Sequence, residues 1–485
     1  MFRAYSQRPN TVGCRRFRAA LQGCIPFVAS LFLSGCGVPQ MLLGSSSSAA
    51  KLGEPAAHRA SFGYAVAPVP EAATAAKKIL NQGGNAVDAA TAAGFALAVT
   101  LPSRAGLGGG GACLIDLPKN DGGTGSPLSI MFMPQAGSGS GTRPAAVPML
   151  ARGLIAMQAR YGRLSLAQDL APAEVMAAAG VPVSRQLADD LDTVGNAFLE
   201  DPDARGIFAS PEGQILRVGE PLTQPDLATV LSRLQTNGLL GFYQGRLARH
   251  IVEAANRAGG GLTLADLKKA KAAYMQPVTI RELGYDLAFL PPPAAGGVGA
   301  AAAIEALAHD PRRAMVAANR ALAVALAARD GGEPAELLAK TIAAVSSAPP
   351  MPASASFAVL DGKGGAVGCV TTMDNLFGTG RIARGTGIVL AASPAQIKPP
   401  LLTAGLATRK GKFRAIAVGS GQGGAPFAVG DALFHTIQSP RPMTASRALS
   451  GQADVIACSG LMPGRPASCG AAADPKGFGV AVGGN

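Results

Sequence analysis

The sequence predicts a layered α+β protein, and three observations carry that expectation. Of 485 residues, 48% are hydrophobic and only 15% charged, which excludes a long disordered polyelectrolyte and supplies apolar material for a large core. Aromatic residues make up just 5%, while Gly (63) and Pro (36) are abundant without a collagen period. Small side chains in place of rings suit Ala-rich helices packed closely on sheets. Finally, the chain reads mostly as helices up to a Ser/Ala/Pro-rich break at 346–354 and is led by strands beyond it, so the two parts belong in one layered body. No internal repeat is visible.

The N-terminus reads as an export signal. Arg3, Arg8, Arg15, Arg16 and Arg18 precede an apolar run through Phe27, Val28, Leu31, Phe32 and Leu33, and no acid lies among them. Leu33-Ser34-Gly35-Cys36 has the small residues before a cysteine of a bacterial lipoprotein signal, with Cys36 the lipidation site; an ordinary secretory signal cut nearby is the other reading. The expected organisation is a signal at 1–36, a flexible tether at 37–60, and a folded body in two regions, 61–353 and 354–485. Gly37 after the cysteine favours the outer membrane, so the protein is expected on the periplasmic side of a bacterial envelope, held to the membrane by its lipid.

Taking the five early arginines from the formal charge of +13 leaves +8 scattered over the rest, with no interleaved aromatics and no nucleic-acid motif. Nucleic acid is therefore not an expected partner. Cys458 and Cys469 flank a Gly/Pro-containing loop and are a disulfide candidate in an oxidising compartment. Cys113 and Cys369 lie inside apolar stretches and read as buried small hydrophobes. Four widely separated histidines and the lack of a Cys-x-x-Cys give no expected metal site, and no cofactor is implied.

Pro70-Glu71 opens a helix with apolar residues at helical spacing, ended by Gly83-Gly84; Asn85 caps a second, Ala-rich helix from Ala86 to about Val99 that should be buried. Gly106 to Gly111 lets backbone approach backbone or ligand, but it precedes a strand (Ala112 to Leu117) and lacks the Lys-Ser/Thr of a phosphate loop. Leu128 to Phe132 reads as a strand and 149–198 as mainly helical. Thr223 and Thr263 read as helix caps, Gln276 to Arg281 and Tyr285 to Leu290 as strands. Pro291 to Pro293 with Gly296-Gly297 turn into one long Ala-rich helix. Ser356 to Leu360, Ala366 to Met373 and Arg414 to Gly419 are expected strands, and Ala425 to Ile437 a helix.

Against this background a set of ordered motifs resembles the gamma-glutamyltransferase family. They are Leu80-Asn81-Gln82-Gly83-Gly84-Asn85-Ala86-Val87-Asp88-Ala89-Ala90, Ala98-Val99-Thr100-Leu101-Pro102, Gly108 to Gly111, Tyr243-Gln244-Gly245, Gly261-Leu262-Thr263, Pro291-Pro292-Pro293, Phe377-Gly378-Thr379-Gly380 and Ala473-Asp474-Pro475-Lys476. The resemblance spans roughly 60–485. It implies a four-layer αββα sandwich of the N-terminal-nucleophile hydrolase type, in which a precursor cuts itself into a large and a small chain. The hydroxyl residue that begins the small chain is then the nucleophile, with its freed amine as base.

Placed by the strand that follows, the resemblance puts the nucleophile at Ser354, with Ser356 the alternative chain start. It puts Thr372 where a threonine bonds the nucleophile and Asp374 where the family has Asn, a substrate-binding position. Ser420 would contact substrate, and Gly423 and Gly424 would supply oxyanion amides. Three departures accompany these matches. Met131-Phe132-Met133 stands where the family grips a carboxylate with Arg; Ala391-Ala392 replaces residues that hold the α-amine; Pro400 and Leu401 stand near the paired serines. Arg143 or Arg381 could replace the lost cation. The resemblance thus implies an amide acyl hydrolase or transferase acting on a small amide or peptide with altered donor specificity. The alternative is a non-catalytic envelope lipoprotein that keeps the fold for binding or structure.

Overall fold

The computed structural model describes residues 62–343, 345 and 353–484. The expected signal, tether and lipidated Cys36 lie outside the described residues. Contacts divide the chain after Ala56, and the architecture below is that of the second unit.

Strand β1 (Gly63–Ala67) leads into α1 (Pro70–Asn81), where Pro70 occupies the first turn beside Glu71, and the buried Ala72, Ala75, Ala76, Ile79 and Leu80 mark one face. Asn85 accepts from the amides of Val87 and Asp88 while the Asp88 carboxylate accepts from Asn85, a reciprocal cap that starts α2 (Ala86–Thr100). Every residue of α2 is buried, as its Ala content on all faces requires. A single turn, α3 (Pro102–Ala105), follows, then β2 (Gly110–Asp116) and β3 (Leu128–Phe132).

The helices α4 (Leu150–Tyr161), α5 (Leu166–Ala179), α6 (Arg185–Leu199) and α7 (Pro225–Tyr243) extend the first helical layer, to which Pro202–Phe208 and Gly245–Arg257 also add buried residues. Then come β4 (Ala273–Met275), β5 (Val278–Glu282), β6 (Tyr285–Phe289), α8 (Gly296–His309) and α9 (Ala314–Arg329). The later region supplies β7 (Ser354–Asp361), β8 (Ala366–Thr372), β9 (Thr403–Arg409), β10 (Lys412–Ser420), α10 (Ala425–Gln438), β11 (Gln452–Met462), β12 (Cys469–Ala472) and β13 (Val480–Gly483).

These strands form a seven-stranded sheet, β13-β1-β7-β8-β2-β3-β4, and a six-stranded sheet, β12-β11-β10-β9-β6-β5. Side-chain alternation sorts the core into layers. Ala355, Phe357 and Val359 of β7 join α1, α2 and α4 on one face. Ala358 and Leu360 meet Ile416, Val418, Ile456 and Cys458 between the sheets. Ala415, Ala417, Val455 and Ala457 face α8 and α10. Helix, sheet, sheet, helix: the αββα sandwich is the fold. Regions 61–353 and 354–485 are interleaved within it, since β7 and β8 lie between β1 and β2.

Three local expectations need correction. The long helix after Gly296 is two, because Pro311 offers no amide to continue α8 and the chain turns through Asp310 to Arg313. Thr223 does not cap a helix: Pro225 fixes the start of α7, with Gln224 at the cap position and its side-chain amide donated to Val99. Cys113 and Cys369 are bonded to each other, not free buried thiols. They are opposite residues in the antiparallel β2–β8 pairing, with Cα atoms 4.0 Å apart, so register brings together two cysteines 256 residues apart in sequence. The expected Cys458–Cys469 bridge is present. Thr263 caps a short helix (Leu264–Lys269) as expected.

Candidate active site

Ser354 is the first residue of β7, in the middle of the seven-stranded sheet, and only 4% exposed. Two-residue alternation puts Ser354 and Ser356 on the face of Ala358 and Leu360, which looks toward the second sheet. Across from them, Ser420 ends β10 on the face of Val418, and Asp454 of β11 lies on the face of Ile456. Ser354, Ser356, Ser420, Gln452 and Asp454 line one narrow cleft at this end of the sandwich, with room for about one water (10 Å³) and Arg104 on its wall.

Thr372 is the register partner of Ser354. Its hydroxyl donates to the carbonyl oxygen of Ala353 (3.0 Å), the residue before Ser354, and accepts from the amide of Asp374 (2.9 Å). Asp374 is fully buried at φ 53°, and neither of its carboxyl oxygens has a hydrogen-bond partner; burial pushes its pKa up to about 8. It sits behind Thr372 and does not line the cleft.

The glycine run explains how these strands come so close. A Cβ on Gly109 would stand 2.3 Å from the Thr372 carbonyl oxygen, and one on Gly111 2.2 Å from that of Val370. The run therefore serves backbone-on-backbone packing.

The loop after β10 turns through Gly421 (φ 93°) and Gln422 (φ 55°) into α10. Ser420 reaches the cleft, and its hydroxyl donates to Gln452 Oε1 at 3.4 Å. Gly423 and Gly424 do not line the cleft, and the Gly424 amide is engaged with Gly421 O at 3.2 Å.

Two features escaped the sequence. Arg104 binds Asp190 through Nε (2.8 Å) and Nη2 (2.5 Å) and extends Nη1 to the Ser354 carbonyl (3.4 Å), while Ser103 and Gln186 donate to the same carboxylate. Asp454 accepts from the Asp474 amide (2.8 Å), and burial pushes its pKa up to about 7. Neither belongs to a recognisable motif. A signal existed only for Arg104, a lone charge among small residues before the glycine run.

The substituted positions are apolar in space as well as in sequence. Met133 is buried in the core between the sheets, and Ala391 packs into the helical-side core. Leu401 is buried beside α8 and α9, and the nearby Thr403 hydroxyl is spent on the Leu401 carbonyl. Arg143 and Arg381 line a different cavity, which shares no residue with the Ser354 cleft. There Arg381 lies 3.8 Å from Asp201 and Arg143 donates to the Thr379 carbonyl.

A gamma-glutamyltranspeptidase family model matches residues 72–327, more than half of the chain. The chain belongs to this family. The match takes in the helices over the first sheet and ends before Ser354. The glutathione hydrolase proenzyme of Escherichia coli (strain K12) is 32% identical over 234 residues, 45% of this chain and 40% of that protein. The capsule biosynthesis protein CapD proenzyme of Bacillus anthracis is 32% identical over 227 residues, 47% of this chain and 41% of its own. The chain thus spans about two fifths of the length of these family members. Cephalosporin acylase from Bacillus halodurans superposes with a TM-score of 0.71 over 90% of this chain and 99% of its own at 20% identity, a likeness of fold.

Proposed function

We propose that this protein is a self-processing amide acyl hydrolase or transferase of the gamma-glutamyl type, with Ser354 as nucleophile and a donor pocket that has lost its hold on an amino-acid zwitterion. One observation carries the reading: the Thr372 hydroxyl donates to the carbonyl of Ala353. That carbonyl belongs to the peptide bond whose cleavage frees the Ser354 amine, and a donor on its oxygen favours the negative charge that attack creates. Attack by Ser354 Oγ on the Ala353 carbonyl carbon forms an ester and breaks the C–N bond; water hydrolyses the ester. In the cut protein the free amine takes the proton from Oγ as it attacks the donor amide, and the acyl group passes to water or an amine.

The donor argument rests on charge. A buried ammonium and carboxylate each need partners to replace water. Met133, Ala391 and Ala392 offer none, and Arg143 and Arg381 line a different cavity. An outer groove adjoins the cleft and shares Pro68, Gln186 and Phe478 with it; there Val218 (56%) and Phe478 (45%) leave apolar surface exposed. A donor with an apolar group suits this lining.

The test compares an anilide of a simple aliphatic acid with γ-glutamyl anilide, using Ser354→Ala as control. The expected γ-glutamyl rate is at or below that of the simple acyl compound, about a thousandfold under what a zwitterion-binding pocket would give if several kcal/mol are uncompensated. Fast γ-glutamyl turnover that disappears in Ser354→Ala would overturn the donor assignment. The same missing polar groups support the second reading, a non-catalytic scaffold, which requires that no Ser354-dependent turnover or cleavage be found.

We also propose export and lipid anchoring at Cys36. Fatty-acid labelling and membrane retention should be lost in Cys36→Ser, because acyl chains hold a protein at roughly 0.8 kcal/mol per buried CH₂. Equal retention of the variant would rule the anchor out.

A further inference from the structure

Self-cleavage poses a problem that the cut protein does not have. Before cleavage the Ser354 nitrogen is a peptide nitrogen with a delocalised lone pair, so it takes no proton at neutral pH. Another group must accept the hydroxyl proton as Oγ attacks. Of the ionisable side chains on the cleft among the described residues, Arg104 is a cation, and its partner Asp190 is spent on Arg104, Ser103 and Gln186. His250, His309 and His435 do not line the cleft. The remaining group is Asp454, projecting from β11 toward the face of β7 that carries Ser354 and Ser356, enclosed by protein yet partly open to the cleft.

Resting on the Ser354 assignment above, we propose that Asp454 is the base of self-cleavage, its carboxylate taking the Ser354 hydroxyl proton directly or through one cleft water. As Oγ bonds to the Ala353 carbonyl carbon, the proton passes to Asp454 and the oxyanion is held by the Thr372 hydroxyl. When the C–N bond breaks, Asp454 returns the proton to the departing Ser354 nitrogen. Water then splits the ester into the Ala353 carboxylate and the Ser354 hydroxyl, leaving Asp454 as it began. The role is confined to maturation, since the freed amine afterwards lies nearer its own hydroxyl.

The surroundings suit a base that works near neutral pH. Burial raises the Asp454 pKa most and the neighbouring Asp474 charge adds to it, while the Asp474 amide opposes them. The charged groups that face it are Asp474, with Lys476 3.9 Å from that carboxylate, and the Arg104–Asp190 pair across the cleft; β7 and β10 bring only the hydroxyls of Ser354, Ser356 and Ser420. A carboxylate base loses function as pH falls through its pKa. The cleavage rate should therefore climb about tenfold per pH unit below about 7 and level off above.

The experiment follows cleavage of freshly translated full-length chain on denaturing gels between pH 5.5 and 8.5, for the wild type, Asp454→Asn, Asp454→Glu and Ser354→Ala. Asp454→Asn should cleave at least a hundredfold more slowly without the neutral inflection, Asp454→Glu should recover part of the rate, and Ser354→Ala should not cleave. Thermal melting of Asp454→Asn and uncut Ser354→Ala should agree. If Asp454→Asn cleaves at the wild-type rate, or the wild-type profile is flat through neutral pH, the proposal is wrong while the Ser354 assignment stands. If Ser354→Ala itself cleaves, the assignment falls first. Should Asp454→Asn melt early, the wild-type profile and Asp454→Glu decide.

Discussion

Asp169, near the start of α5, is fully buried, with its carboxyl group beside Asp88 and Gln158. Burial, and then the Asp88 charge, push its pKa up to about 9, so the group is protonated at neutral pH. A carboxyl whose folded pKa lies above its unfolded value contributes most below the unfolded value of 3.8, and stability falls as pH rises from there toward about 9. Asp169→Asn keeps the shape and removes the titration. In thermal melts it should be the more stable protein at pH 8, by up to several kcal/mol, and show no advantage at pH 4. Equal pH dependence in the two proteins would contradict the assignment. Residues of this kind are where sequence reading runs out. The strand that begins at Ser354 was legible because Ser356 to Leu360 already reads as one. Asp454 and Asp169 follow no pattern, and their ionisation depends on neighbours 11 to 81 residues away. The Thr372–Ala353 bond likewise exists only once register is known.

Among elements, helices with their own start and stop signals were legible: Pro70 and Asn85 mark α1 and α2 because caps act locally. The strands β9 and β11 carried no comparable mark, being segments of mixed small residues that become strands by pairing with β10. The cross-strand bridge Cys113–Cys369 is the clearest case of information held in pairing. Closing a 256-residue separation, it should stabilise by about 2–4 kcal/mol, mainly by restricting the unfolded chain. Cys113→Ala with Cys369→Ala should lower the denaturant midpoint accordingly, and thiol titration of unreduced, denatured protein starting at residue 62 should find no free thiol. Two free thiols would mean that the cysteines are unpaired.

At the scale of the molecule, the four-layer fold was expected from motif order, yet the depth of interleaving was not. The cut proposed before Ser354 would fall at the start of an inner strand: β7 pairs with β1 on one side and β8 on the other, and β13 returns to pair with β1. A cut there would leave both pieces locked in a common sheet and joined by the Cys113–Cys369 bridge. It would create a new N-terminus at the cleft without separating the chains.

The most direct measurement of the central claim is the mass and N-terminal sequence of the fragments, read after reduction and denaturation of purified full-length protein. Two fragments that co-purify in native buffer, the smaller beginning Ser354-Ala355-Ser356, with Ser354→Ala remaining one chain, is the predicted result. A single uncut wild-type chain after prolonged incubation, or a small fragment beginning elsewhere, would contradict it.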